Sequence, residues 1–130
     1  MVKEAAVVPE QRCVLLVEDD PDLRAFVAEV LTEAGYRVLA AADGLAALEQ
    51  AAAQRPDLVL LDMRMPRMDG WEFARRFRTQ HVGHVPIIVF TAATDATQRA
   101  GEIQADGYLA KPFELAELLA IVEHHLSSPA

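Results

Sequence analysis

The chain has a single cysteine, Cys13, among its 130 residues. One thiol excludes an internal disulfide and any CxxC redox or metal motif, which makes a reducing compartment the expected home. Long hydrophobic runs are lacking too. VLLV at 14–17 and LVLL at 58–61 fall far short of the roughly 20 residues that cross a bilayer. The opening MVKEAAVVPEQR has neither the charged start nor the apolar stretch of a secretory signal. A soluble, cytoplasmic protein with no membrane partner is expected. Positive charge is scarce: 12 Lys and Arg stand against 20 Asp and Glu, a net charge of −8. That balance repels phosphate backbones and argues against direct nucleic-acid binding. Arg64, Arg67, Arg75, Arg76 and Arg78 gather around Trp71 as the solvated face of a helix would. Of the four histidines, His124 and His125 point to different helix faces, and His81 and His84 fall in a loop, so they read as surface residues, not a metal site.

What is present is one domain's worth of chain, able to bury about two-thirds of its unfolded surface. Five short apolar stretches, VLLV (14–17), YRVLAA (36–41), DLVLL (57–61), PIIVFTA (86–92) and GYLA (107–110), alternate with longer helical patterns. Such alternation predicts an α/β fold with a parallel sheet and helices on both faces. The first, third and fourth stretches are continuously apolar and belong in the middle; the second and fifth suit the edges. Asp20 and Pro21 open a helix whose Leu23, Phe26, Val27, Val30 and Leu31 form an apolar stripe before Gly35 stops it. Asp43 caps a second helix, to about Gln54, with Leu45, Leu48 and several alanines as its contact. A third, about 71–80, sets Phe73 and Phe77 one turn apart. A last helix, about 114–126, sets Leu115, Leu118, Leu119, Val122 and Leu126 on one face. The segment TDATQRAGEIQA (94–105) has little apolar area and an internal Gly101, so only a short or frayed helix is expected there.

In a doubly wound sheet, ligands sit beyond the carboxyl ends of the strands. There the chain carries Glu18, Asp19 and Asp20 after the first strand, Asp62 after the third, Thr91 after the fourth and Lys111 after the fifth. At an effective dielectric of about 20, two carboxylates about 4 Å apart repel by roughly 4 kcal/mol. Such a group needs protonation or a divalent cation, and oxygen donors without His or Cys suit a hard ion such as Mg²⁺. A cation and a lysine around one carboxylate form a clamp for a transferring phosphoryl group, with Thr91 as hydrogen-bond donor and Asp62 as the nucleophile.

VLLVEDD (14–20), LVLLDMRMPRMDG (58–70), PIIVFTA (86–92) and GYLAKPF (107–113) resemble, in order and spacing, the motifs of the receiver domain of two-component response regulators, over about residues 12–126. The resemblance implies a flavodoxin-like five-stranded parallel sheet of order 2-1-3-4-5, with a leader at 1–11 and a tail at 127–130. It makes Asp62 the phosphoacceptor. Asp19, Asp62 and the backbone carbonyl of Arg64 become Mg²⁺ ligands, with Glu18 helping to hold the ion. Thr91 and Tyr108 become a switch pair, and Lys111, followed by a cis bond to Pro112, the partner of the phosphoryl group. The implied donor is a histidine kinase or histidine phosphotransfer protein that docks on the first helix, where Arg24 lies on the exposed side. The implied output is altered binding to a downstream target by a phosphorylated switch that is not a turnover enzyme.

Several positions depart from the family pattern. Glu18 stands where many relatives have aspartate. Between Thr91 and Lys111 the chain is about two residues short, and Gln104 replaces a glycine that commonly ends the fourth helix, so a short helix with a costly left-handed cap is expected. Arg64 and Ala93 flank the implied phosphoryl position, and Arg64 is expected to reach over the site. Other readings fail on single residues. A haloacid dehalogenase-type phosphatase needs a second acid at position 64, where Arg64 stands, and a flavodoxin-like cofactor binder needs a phosphate loop after Val17.

Overall fold

The computed structural model describes residues 11–65, 67–92 and 94–126. The expected leader and tail, apart from Gln11, and the Ala93 position lie outside these. The chain alternates strand and helix: β1 (Cys13–Val17), α1 (Pro21–Glu33), β2 (Arg37–Ala41), α2 (Gly44–Ala53), β3 (Leu58–Leu61), α3 (Gly70–Gln80), β4 (Ile87–Ala92), α4 (Ala96–Glu102), β5 (Gly107–Lys111) and α5 (Leu115–Leu126). All strand pairings are parallel, in the order β2-β1-β3-β4-β5. The continuously apolar segments are the three central strands, and β1 and β3 are buried at every position. No helix among the described residues is long and apolar enough to cross a membrane.

Because side chains alternate across a strand, each central strand feeds two cores. Leu15, Val17, Val59, Leu61, Ile87 and Val89 pack with Ala47 and Leu48 of α2, Phe73 and Phe77 of α3, and Ala100 of α4. Val14, Leu16, Leu58, Leu60, Ile88 and Phe90 pack with Val27 and Leu31 of α1 and Leu118, Val122 and Leu126 of α5. Burying each such aliphatic side chain is worth about 1.5–3 kcal/mol, so both helical layers are held without staples.

Local signals set the helix ends. The Asp20 carboxylate accepts from the N–H groups of Asp22 and Leu23 at 3.0 and 3.2 Å, Asp43 from Ala46 at 2.9 Å, and Asp69 from Glu72 at 2.9 Å, each satisfying a donor the helix cannot. Gly35, at φ 102°, takes the left-handed turn after α1 that a side chain would oppose.

Packing corrects several details. Phe26 is 49 % exposed: at 3.6 residues per turn it lies about 100° from Val27, beyond the edge of the buried stripe. Leu115 is 45 % exposed, and Leu45 is also exposed. The arginines are not one solvated face. Arg75 and Arg76 pair with Glu72 on the outside of α3, but Arg67 pairs with buried Asp43, and Arg78 donates to the carbonyls of Ile103 and Gln104. His81 is half-buried and stacked on Phe77, with ring centroids 4.4 Å apart; burial and the charge of Arg55 hold its pKa below the usual imidazole value. The short helix at 96–102 has seven residues, and Gln104 follows it at φ 54°. Arg78 offsets that strained turn by supplying donors to the carbonyls left free at the helix end.

Candidate functional site

The ends of β1, β3 and β5 bring the acidic and amine groups to one cleft. Glu18 follows β1 directly, its N–H donating to Ala41 O at 3.0 Å. Asp62 follows β3, its N–H donating to Val17 O at 3.0 Å. The β1–β3 register, Val17 opposite Leu61, therefore puts the two carboxylates side by side. Glu18, Asp19 and Asp62 each offer an oxygen lying within 4.8 Å of the other two. Glu18 and Asp62 are buried, at 1 % and 5 % exposure, and Asp19 opens to solvent.

Lys111, the last residue of β5, places its Nζ 2.6 Å from Glu18 Oε1 and 3.8 Å from Asp62 Oδ2. The ammonium also lies over the Phe90 ring, 4.8 Å from its centroid. Glu18 spans from Lys111 to the N–H of Asp20, which donates to its second oxygen at 3.0 Å. The Lys111–Pro112 bond is cis.

Asp62 accepts from the Arg64 N–H at 3.2 Å. Burial, then the negative charge of Glu18, raises its pKa from 3.8 to about 7, against the pull of Lys111 and the Arg64 N–H. The chain beyond it is shaped by close approach: a Cβ on Gly70 would sit 2.8 Å from Met63 Cα, so only glycine lets α3 start against the backbone that follows Asp62. Arg67, at φ 67°, turns this loop back so that its guanidinium meets Asp43, whose pKa is held down by the Ala46 N–H and by Arg67.

Thr91 is buried at the end of β4. Tyr108 sits on β5 opposite Val89, two positions before Thr91, and strand alternation puts Thr91 and Tyr108 on the same side of the sheet. The tyrosine is 46 % exposed. Arg64 pairs with Asp95 on the segment that follows β4, Nη2 to Oδ2 3.5 Å. Arg24 departs from its expected place on the exposed side of α1: its Nη1 turns back to Glu18 O at 2.9 Å and Asp19 O at 3.4 Å. Helical phase is the only sequence signal for that contact, since Arg24 lies about 60° from Val27.

Beside the cleft, Leu23, Phe26, Ala92, Pro112, Phe113 and Leu115 line an open apolar cavity of about 520 Å³ with Lys111 at its edge.

The family described as the response regulator receiver domain matches residues 14–123. The chain belongs to the response regulator receiver family. It is 40% identical over 121 residues to the transcriptional regulatory protein PdtaR of Mycobacterium tuberculosis, covering 91% of this chain and 57% of that protein. The chain spans about half the length of the curated relatives it matches. Among solved structures, chemotaxis protein CheY4 of Vibrio cholerae superposes with a TM-score of 0.82 at 35% identity, over 90% of this chain and 100% of that one. The receiver domain of sensor histidine kinase PA1611 from Pseudomonas aeruginosa does so with a TM-score of 0.81 at 40% identity, over 92% and 100%, and carries a magnesium ion coordinated in its active-site cleft. The five-stranded sheet is thus the flavodoxin-like sheet of receiver domains. Members of the family bind Mg²⁺ at an acidic site and interact with kinases and downstream effectors, generally as signalling modules.

Proposed function

We propose that Asp62 is the phosphoacceptor of a phosphorylation-dependent switch spanning residues 12–126 and acting in the cytoplasm. The observation that carries this reading is the convergence of three carboxylate oxygens within 4.8 Å with a lysine amine 3.8 Å from Asp62. The donor set is all oxygen and negatively charged, as Mg²⁺ requires; Asp19, Asp62 and the Arg64 carbonyl would hold the ion, with Glu18 in support. Bound there, the ion would supply a fixed double charge opposite the phosphoryl oxygens.

The protein's own groups do the rest. An Asp62 oxygen attacks phosphorus as the phosphorus–nitrogen bond of a phosphohistidine breaks and its electron pair returns to the imidazole of the donor. The donor is a histidine kinase or a histidine phosphotransfer protein. Lys111 exchanges Glu18 for the new phosphoryl oxygens, a trade of one charge-assisted hydrogen bond for another. Thr91 gives a further hydrogen bond, and Tyr108 leaves its exposed position to fill the space behind it. Switching a downstream target from mostly unbound to mostly bound takes about 5 kcal/mol of difference between the two states.

A phosphorelay intermediate or a receiver cut from a longer hybrid kinase is the second reading, favoured by the 40% identity to the receiver of a sensor histidine kinase. Incubation with Mg²⁺ and acetyl phosphate, followed by intact-mass measurement, tests the shared claim. Wild type is expected to gain one phosphoryl unit and Asp62→Asn none; an equal gain in both would refute it.

A further inference from the structure

The carbonyl groups of two consecutive acidic residues converge on the side chain of Arg24. Its Nη1 lies 2.9 Å from Glu18 O and 3.4 Å from Asp19 O, while its N–H makes the ordinary first helical bond of α1, to Asp20 O at 2.9 Å. The segment is tied down from the other side as well. Glu18 N donates to Ala41 O, and Asp20 N donates to Glu18 Oε2. Side chains in a helix lean toward its N-terminus, so a long guanidinium in the first turn of α1 reaches the loop that precedes it. A carbonyl so held cannot rotate without breaking a charge-assisted hydrogen bond, and rotation of either peptide plane would re-aim the carboxylates of Glu18 and Asp19.

We propose that Arg24 is the positioning residue that sets the geometry of the acidic loop and thereby its affinity for Mg²⁺, an inference that rests on the reading of the cleft as a magnesium centre. Its hydrogen bonds go to main-chain oxygens, so it acts through the loop and not on the ion. Charge and geometry predict opposite signs, which makes the role testable. A cation beside the loop repels Mg²⁺, so deleting a residue that acted only by charge would tighten binding. Deleting a positioner loosens it. Loss of a supporting group of this kind costs a metal site about tenfold or more in affinity.

Isothermal titration of the full chain with MgCl₂ reads the sign directly, with thermal melts in EDTA to count folded protein. For Arg24→Ala the dissociation constant is expected to rise about tenfold. Arg24→Lys, which keeps the charge but replaces a planar fork by a point donor, is expected to fall between the two. Phosphorylation by acetyl phosphate, which needs no docked protein, should return to near the wild-type rate when Mg²⁺ is raised to saturation. Unchanged or tighter binding in Arg24→Ala overturns the proposal. Should that variant fail to fold, a wild-type dissociation constant in Arg24→Lys overturns it equally. Wild-type protein that takes up no magnesium would sink the metal reading itself, a failure separate from an indifferent Arg24.

Discussion

Replacing Asp62 by asparagine removes one of two adjacent buried carboxylates while keeping the shape and the acceptor for the Arg64 N–H. The folded-state pKa of Asp62 is raised from 3.8 to about 7 by burial and by Glu18. A raised pKa means that the folded protein holds this proton more tightly than the unfolded chain does. Its contribution to stability is therefore complete below about pH 4 and is lost as pH rises to about 7. A shift of about three units corresponds to roughly 4 kcal/mol at 1.36 kcal/mol per unit. Solvent that reaches the cleft past exposed Asp19 screens part of this, leaving about 2–3 kcal/mol for an experiment to register. In EDTA at pH 8, Asp62→Asn should thus melt about 5–10 °C above wild type, the scale expected for a domain of this size. At pH 4, where folded Asp62 is protonated and the unfolded chain about half so, the gap should close to within about 1 kcal/mol. Saturating Mg²⁺ at pH 8 should raise the Tm of wild type more than that of the variant, since stabilisation by a ligand grows with its affinity for the folded state. Thermal melts across pH, with and without the ion, measure all three effects. Equal melting temperatures at pH 8 in EDTA, or the same gap at pH 4 and pH 8, would refute the claim that the cleft is strained by its own charge.

Arg64 pairs with Asp95, and Arg64→Ala should speed loss of the phosphoryl group about fivefold, or about 1 kcal/mol off the barrier; an unchanged dephosphorylation rate in a phosphate-release assay would remove Arg64 from the lifetime. Gln104 holds φ 54° without the freedom of glycine, so Gln104→Gly should stabilise the protein by about 0.5–1 kcal/mol in urea denaturation. The pKa of His81 is lowered mainly by burial, so the unfolded chain takes up its proton first and stability falls as pH drops below about 6.5; His81→Phe should flatten that part of the pH–stability curve. Phe77 is buried against Phe73, with centroids 5.6 Å apart, and Phe77→Ala should cost about 3–5 kcal/mol, measured by the same denaturation.

Much of the fold was legible because its signals are local and periodic. Strand burial on both faces writes itself as the unbroken runs at 14–17 and 58–61, and the capping aspartates Asp20 and Asp43 sit where a helix must begin. The site was legible for a related reason. In a parallel sheet the C-terminal strand ends all lie at one edge, so Glu18, Asp19, Asp62, Thr91 and Lys111 could be brought together from their positions after each apolar run. The four motifs shared with receiver domains then supplied an order that spacing alone could not.

What escaped were the contacts that three arginines make across elements. Arg24, Arg67 and Arg78 are chemically alike in the sequence. One braces the acidic loop, one pairs with a buried aspartate, and one satisfies the carbonyls at the end of α4. Phe26 and Leu115 likewise carried a core pattern and came to rest at the surface. The sequence by itself determined which segments are strands and helices, and which oxygens stand at the strand ends, because both follow from neighbours along the chain. Only the tertiary structure decided that Lys111 would rest on Glu18 and that Asp62 would hold its proton near neutrality. Those depend on distances of a few ångströms between residues far apart in the chain, and an electrostatic energy in a buried cleft changes steeply over that range.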